Sequence, residues 1–350
     1  MILRFVLASL ALPPCAATQR DSGTFVVHGF RFASGDSLAE LKLYYRTLGR
    51  PQRDARGTVR NAVLILHGTG GTGAQFFSSS FVELYAPGAP LDTSTHYVIL
   101  PDDVGHGRSS KPSDGLRGRF PHYAYADMVT AEYRLVTEGL HVDHLRLVMG
   151  TSMGCMHSWL WAERYPAFMD GVVPLACAPT QIAGRNRMFR KMILDDIRQD
   201  PDWRGGDYTD QPPGVAAALQ VLFVMGSSPA LLQRTAPTRD SADQYISAWV
   251  AARRITTDAN DMLYQFDASR DYDPSPDLER ITAPVLAINS ADDVINPPEL
   301  GLMERLMPRV RNGRYVLIPI GEHTRGHGTH TVAAAWRQWF APFVAGLAAR

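Results

Sequence analysis

Along the chain, short and nearly continuous apolar runs recur at residues 62–66, 97–100, 145–149, 171–176, 284–288 and 314–319. Runs of this length without polar alternation predict strands buried on both faces. Two earlier runs, residues 24–32 and 41–45, alternate apolar and polar positions instead and predict antiparallel edge strands. Between the buried runs, residues 123–139 and 157–165 carry apolar positions at helical spacing, and a closing helix is expected over residues 332–348. Strands alternating with helices imply a mostly parallel central sheet covered by helices on both faces. The alternation stops over residues 179–276, where apolar clusters around Met188, Met192, Val215, Met225 and Tyr245 predict helices broken by Pro- and Asp-rich segments. This stretch reads as a helical cap inserted between strands, its Met-rich faces covering a site below. The domain plan is therefore core at 18–178, cap at 179–276 and core again at 277–350.

The 145–149 run empties into Gly150-Thr-Ser152-Met-Gly154, and a helical stretch follows. A Gly-x-Ser-x-Gly between strand and helix predicts a sharp turn that exposes the serine hydroxyl, because side chains at the glycine positions would collide with the turn. The next N–H, on Met153, sits at a helix start, where it can meet a developing oxyanion. Loops after parallel strands gather at one edge of such a sheet. The loop after residues 62–66 is His67-Gly-Thr69-Gly-Gly-Thr-Gly73, which offers the Thr69 N–H as second oxyanion donor, with His67 bracing the loop. No Gly-Lys-Ser/Thr closes it, which argues against a phosphate loop. In the segment 101–110, His106 and Arg108 are candidates for lining the pocket or for holding the turn.

The two last strands supply an acid and a base. Asp292 and Asp293 follow residues 284–288, and the Asp293-Val-Ile-Asn-Pro297 spacing favours Asp293 as the acid. Of eleven histidines, His327 lies between Gly326 and Gly328 on the loop after the last strand. A serine hydroxyl becomes a nucleophile only when a neutral imidazole takes its proton, and a carboxylate fixes that imidazole's tautomer. Ser152, Asp293 and His327, in that chain order, follow the α/β-hydrolase arrangement. Metal binding by His323, His327 and His330 is not expected, since Gly326 and Gly328 oppose the shared helical face it would need.

Composition narrows the partners. The chain has 350 residues, 45% hydrophobic, with 35 Lys+Arg against 35 Asp+Glu. With no net charge, there is no basic field for nucleic acid or anionic lipid. Residues 1–17 place one cation before a short apolar run and small residues, the pattern of a secretory signal, too short for a transmembrane helix. An exported protein, periplasmic or secreted, follows. Cys155 and Cys177 would remain after cleavage; an oxidising compartment permits a bridge between them, and small buried free thiols are the reading favoured here.

These residues together resemble the α/β-hydrolase superfamily over nearly the whole mature length. Within it, residues 67–71, 105–110, 151–154, 293–298 and 326–328, with a helical insertion after the sixth core strand, resemble the branch related to homoserine O-acetyltransferase. The family's elbow has Gly-Gly after Ser-Met; this chain has Gly154-Cys155. The segment 101–110 looks more like that of a hydrolase than the acetyltransferase's own loop. The resemblance implies an α/β-hydrolase fold with a cap, no cofactor, a small-molecule acyl substrate, and a cap arginine, Arg185 or Arg187, meeting a polar substrate. It implies an acyl-serine that goes either to water, giving an esterase-like hydrolase, or to an alcohol, giving an O-acyltransferase. Export favours the hydrolase, since an acyl-CoA donor is cytoplasmic. A non-catalytic binding protein on the same fold is the third class. Oligomeric state is left open.

Overall fold

A computed structural model describes residues 20–347 of the chain. The signal-like segment 1–17 and Cys15 lie outside the described residues. Among the described residues, eight strands form one sheet: β1 (Arg20–Arg31), β2 (Ser37–Leu48), β3 (Ala62–Leu66), β4 (Tyr97–Pro101), β5 (Leu147–Thr151), β6 (Val172–Leu175), β7 (Val285–Ser290) and β8 (Gly313–Ile318). Their order is β1-β2-β4-β3-β5-β6-β7-β8. β1 and β2 form an antiparallel hairpin that docks antiparallel on β4, and every pairing from β4 onwards is parallel. Only β1 of the two alternating strands is therefore an edge; β2 lies between β1 and β4, which the alternation alone could not decide.

The continuous apolar runs are buried because the sheet is sandwiched. Alternate side chains of one strand enter different cores: Ala62, Leu64 and Leu66 of β3 face one side, Val63 and Ile65 the other. The first side is closed by α2 (Tyr125–Arg134), which continues as a π-helical turn over Leu135–Gly139, and by α3 (Met153–Arg164), with Trp159 and Trp161 fully buried. The second is closed by α1 (Ser79–Val82) and the last helix, α10 (Ala333–Gly346), through Phe81, Trp336 and Phe340.

Between β6 and β7 the chain leaves the sheet as α4 (Gly184–Arg198), α5 (Gly214–Gly226), α6 (Pro229–Thr235), α7 (Arg239–Arg254) and α8 (Ala259–Asp267). A short α9 (Leu302–Leu306) lies between β7 and β8. The expectation that methionines line the underside of the cap is corrected for α4. That helix buries Arg190, Ile193, Leu194 and Ile197, spaced as one stripe, so Met188 and Met192 fall on the opposite face and stay 64% and 50% exposed. Among the described residues, no single helix is long and apolar enough to cross a membrane.

The cysteines also differ from the sequence reading. Cys155 in the first turn of α3 and Cys177 just beyond β6 form a disulfide, their Cα atoms 5.9 Å apart. The pairing arises because α3 packs against β6 and brings the two positions together. It closes a loop with a separation of 22 residues, which in the chain-entropy account is worth about 3 kcal/mol. Replacing both cysteines by alanine should therefore lower the unfolding free energy by about 2–4 kcal/mol in urea denaturation at neutral pH, and reductant should destabilise the wild type but not the variant.

Candidate active site

Ser152 stands between β5 and α3 with φ 56° and ψ −109°. A non-glycine residue held there costs about 1–3 kcal/mol of backbone strain, so the surroundings must enforce it. They do so through absent side chains. A Cβ at Gly150 would strike the Gly154 carbonyl, and one at Gly154 would strike the Leu66 carbonyl. The Gly154 N–H donates to the His67 carbonyl at 2.9 Å and the Ser152 N–H to the Leu175 carbonyl at 2.9 Å, tying the turn to both neighbouring strands' ends.

His327 lies on the loop after β8, with its Nε2 2.8 Å from Ser152 Oγ and its Nδ1 2.8 Å from Asp293 Oδ2. Nδ1 facing a carboxylate carries the proton, which leaves Nε2 as the acceptor for the serine hydroxyl. Asp293 is 1% exposed. Burial is the largest influence on its carboxyl and pushes the pKa up. The charge and hydrogen bond of His327, the Asn296 amide at 2.9 Å and the Ile295 N–H at 2.8 Å outweigh it and hold the pKa below the usual 3.8. Asp293 is thus an anion at any physiological pH.

Asp292, the rival acid, faces elsewhere. Its Oδ2 accepts from the Gly326 N–H at 2.8 Å and from Ser228 Oγ at 3.0 Å, and its Oδ1 from Ser290 Oγ at 2.6 Å. It holds the histidine loop to the cap through Ser228, which precedes α6. Gly326, at φ 63°, fits there because a Cβ would meet the Ser227 carbonyl at 2.6 Å. His330 packs edge-on against His327 with ring centroids 5.1 Å apart; burial, then the charge of His327, pushes its pKa down to about 3. His323 is exposed.

The Met153 N–H is the first donor of α3 and has no acceptor within the helix. The Thr69 loop runs beside the serine: a Cβ on Gly68 would lie 3.3 Å from Ser152 Cβ and 3.8 Å from its Oγ. His67 is fully buried and its Nδ1–H donates to the Gly68 carbonyl at 2.8 Å. His106 is likewise buried, donating from Nδ1 to the Val104 carbonyl, and the Arg108 guanidinium lies 4.2 Å over the Tyr44 ring. Both hold the turn and the hairpin. Arg185 donates to the Val294 carbonyl at 2.8 Å, beside Asp293, from an exposed position. Arg187 is half-buried, and its Nη1 is buried without a hydrogen-bond partner. Asn296 was not singled out in the sequence, yet it bonds both the Asp293 carboxylate and the Ala176 carbonyl, linking acid loop to β6.

Comparison with known proteins follows this geometry. A family model described as alpha/beta hydrolase fold matches residues 61–324. A probable acyltransferase of Methanothermobacter thermautotrophicus is 29% identical over 289 residues, covering 81% of this chain and 87% of that protein. Homoserine O-acetyltransferase of Caulobacter vibrioides is 34% identical over 225 residues, covering 58% of this chain and 57% of its own length. Among solved structures, esterase E22 superposes with a TM-score of 0.80 at 21% identity, over 93% of this chain and 100% of that one. Homoserine O-acetyltransferase from Bacillus anthracis superposes with a TM-score of 0.81 at 19% identity, over 95% and 99%.

The two aspartates can be separated by the reactivity of the serine. Asp293→Asn should slow fluorophosphonate labelling of Ser152 by about 10⁴-fold, because the amide favours the wrong imidazole tautomer. Asp292→Asn should slow it less than about tenfold, since Asp292 touches the loop and not the imidazole.

Proposed function

The chain belongs to the alpha/beta hydrolase fold family, in a branch resembling homoserine O-acetyltransferase, and from that premise we propose that it is a serine hydrolase of carboxylic esters or related acyl compounds. The carrying observation is the unbroken hydrogen-bonded line from Ser152 Oγ through His327 to Asp293. His327 Nε2 takes the hydroxyl proton as Oγ attacks the acyl carbonyl carbon. The carbonyl oxygen gains the negative charge and is met by the Met153 and Thr69 N–H groups. The intermediate collapses as the imidazolium returns the proton to the leaving alcohol, and an acyl-serine remains. Water, deprotonated by the same imidazole, attacks it and releases the acid and the free serine. Asp293 stays ionised throughout and stabilises the imidazolium.

O-acyl transfer is the second reading, and two observations favour it. Relatives carry acyltransferase names, and Arg187 presents an unpartnered buried guanidinium nitrogen on α4, suited to an anionic acceptor. In that case an alcohol replaces water in the second half-reaction, with the same proton transfers.

We place the protein outside the cytoplasm. The signal-like pattern of residues 1–17 and the Cys155–Cys177 disulfide support this, since such bonds persist in oxidising compartments.

The test is turnover of a panel of acyl esters, each with and without an alcohol acceptor. Free acid should form at a rate unaffected by the acceptor. Accumulation of the new ester in place of acid would favour transfer. Ser152→Ala should lower either rate by at least about four orders of magnitude, and an unchanged rate would remove the acyl-serine from the account.

A further inference from the structure

A second cluster of chemically capable side chains lies beneath the site and takes no part in the steps above. Asp103 follows β4, Glu132 is on α2, and His157 is on α3, five residues beyond Ser152. They are 1%, 2% and 0% exposed. One ligand atom from each lies within 4.8 Å of the others. His157 Nδ1 is 2.7 Å from Glu132 Oε1 and 3.7 Å from Asp103 Oδ2.

The cluster has too many lone pairs and too few donors. Glu132 is satisfied by His157 Nδ1 and by the Trp161 indole N–H. Asp103 has no hydrogen-bond partner on either carboxylate oxygen, and His157 Nε2 has none. The nearest other imidazole cannot supply a proton. His67 Nε2 is 3.6 Å from Asp103 Oδ2, but it already accepts the Asp103 N–H at 3.0 Å, and its proton is on Nδ1. His106 Nε2 is also buried and unpartnered. Among the described residues, the ion-pair partners of these two carboxylates are imidazoles. Two buried carboxylates without a lysine or arginine cost several kcal/mol each unless a cation joins them or a proton neutralises one; a divalent ion would displace that proton.

We propose that Asp103, Glu132 and His157 form a buried binding site for one divalent first-row transition ion, with zinc the ion its chemistry suits. Two carboxylates cancel the charge of a divalent cation, and an imidazole nitrogen selects zinc-like ions over calcium or magnesium. A tetrahedral ion with bonds of about 2.1 Å spaces its ligands about 3.4 Å apart; His157 Nδ1 and Asp103 Oδ2 are 3.7 Å apart, and the 2.7 Å Nδ1–Glu132 hydrogen bond is the contact the ion would replace, Nδ1 giving up its proton. The ion joins the loop after β4, α2 and the nucleophile helix α3 at one point. Through the Asp103 N–H it also fixes His67, whose carbonyl receives the Gly154 N–H. Its role is to hold the elbow and the Thr69 loop in register; it touches no reacting atom. Because the site is sealed, the ion enters as the chain folds.

The experiment uses untagged protein, purified from zinc-supplemented medium and also refolded from denaturant with and without zinc chloride. After dialysis, elemental analysis should find about one zinc per chain. An anomalous difference map at the zinc edge should place one peak within bonding distance of all three side chains. Refolding with zinc should raise Tm by at least about 4 °C over refolding without it. Asp103→Asn and Glu132→Gln, which keep the shape, should each lower zinc content at least tenfold. Wild-type protein without zinc, a peak elsewhere, or density at the cluster that is water alone overturns the proposal. So does an Asp103→Asn protein with undiminished zinc at the same place. Ser152 labelling by a fluorophosphonate reports separately on the catalytic reading, which the zinc result leaves standing either way.

Discussion

One strained residue organises this molecule. Ser152 sits at a positive φ that only a crowded turn can enforce. The crowding is made by β3, β5 and α3 meeting where Gly150 and Gly154 leave no room for a Cβ. That turn aims the hydroxyl away from the sheet and starts a helix whose first N–H is free. Relaxing the turn would lose the direction of the Ser152 hydroxyl and the placement of the Met153 N–H together. The parallel sheet brings the ends of β3, β5, β7 and β8 to this one turn.

Around the serine, the Asp293 and His327 loops are held by neighbouring side chains. Asn296 ties the Asp293 carboxylate to β6. Asp292 ties the histidine loop to Ser228 of the cap. Arg185 ties α4 to the Val294 carbonyl. From the other side, Gln265 of α8 donates to the Gly105 carbonyl at 2.7 Å and lies beside Gly70. The cap is thus bonded directly to the Asp293 loop through Arg185 and Ser228, reaches the His327 loop through Asp292, and lies against the Thr69 loop at Gln265.

Much of this was legible in the sequence because the signals were local. A strand buried on both faces announces itself as an apolar run, and the elbow as two glycines around a serine. Asp293 was separable from Asp292 by the Asn-Pro spacing that follows. What stayed hidden depends on contacts between distant segments. Helix α8 was missed although Ala259, Met262, Leu263 and Phe266 repeat at helical spacing. Asn260 and Asp261 break the stripe in sequence, yet both are buried because they bond Gly206 and Ser113. The disulfide could be named as possible but not decided, because two cysteines 22 residues apart pair only once α3 is packed on β6. Asp103, Glu132 and His157 share no motif, and only the packing of three elements makes them neighbours. The methionines of α4 misled because hydrophobic character does not say which face turns inward.

The central claim is that the hydroxyl of Ser152 attacks while two backbone N–H groups receive the resulting charge. A crystal structure of the protein inactivated by a small alkyl phosphonate measures this most directly. The account requires phosphorus bonded to Ser152 Oγ, with one phosphonyl oxygen within hydrogen-bond distance of both the Met153 and Thr69 nitrogens and His327 still on Asp293. Phosphorus on another residue, or an oxygen turned to solvent with those two N–H groups unengaged, would contradict it.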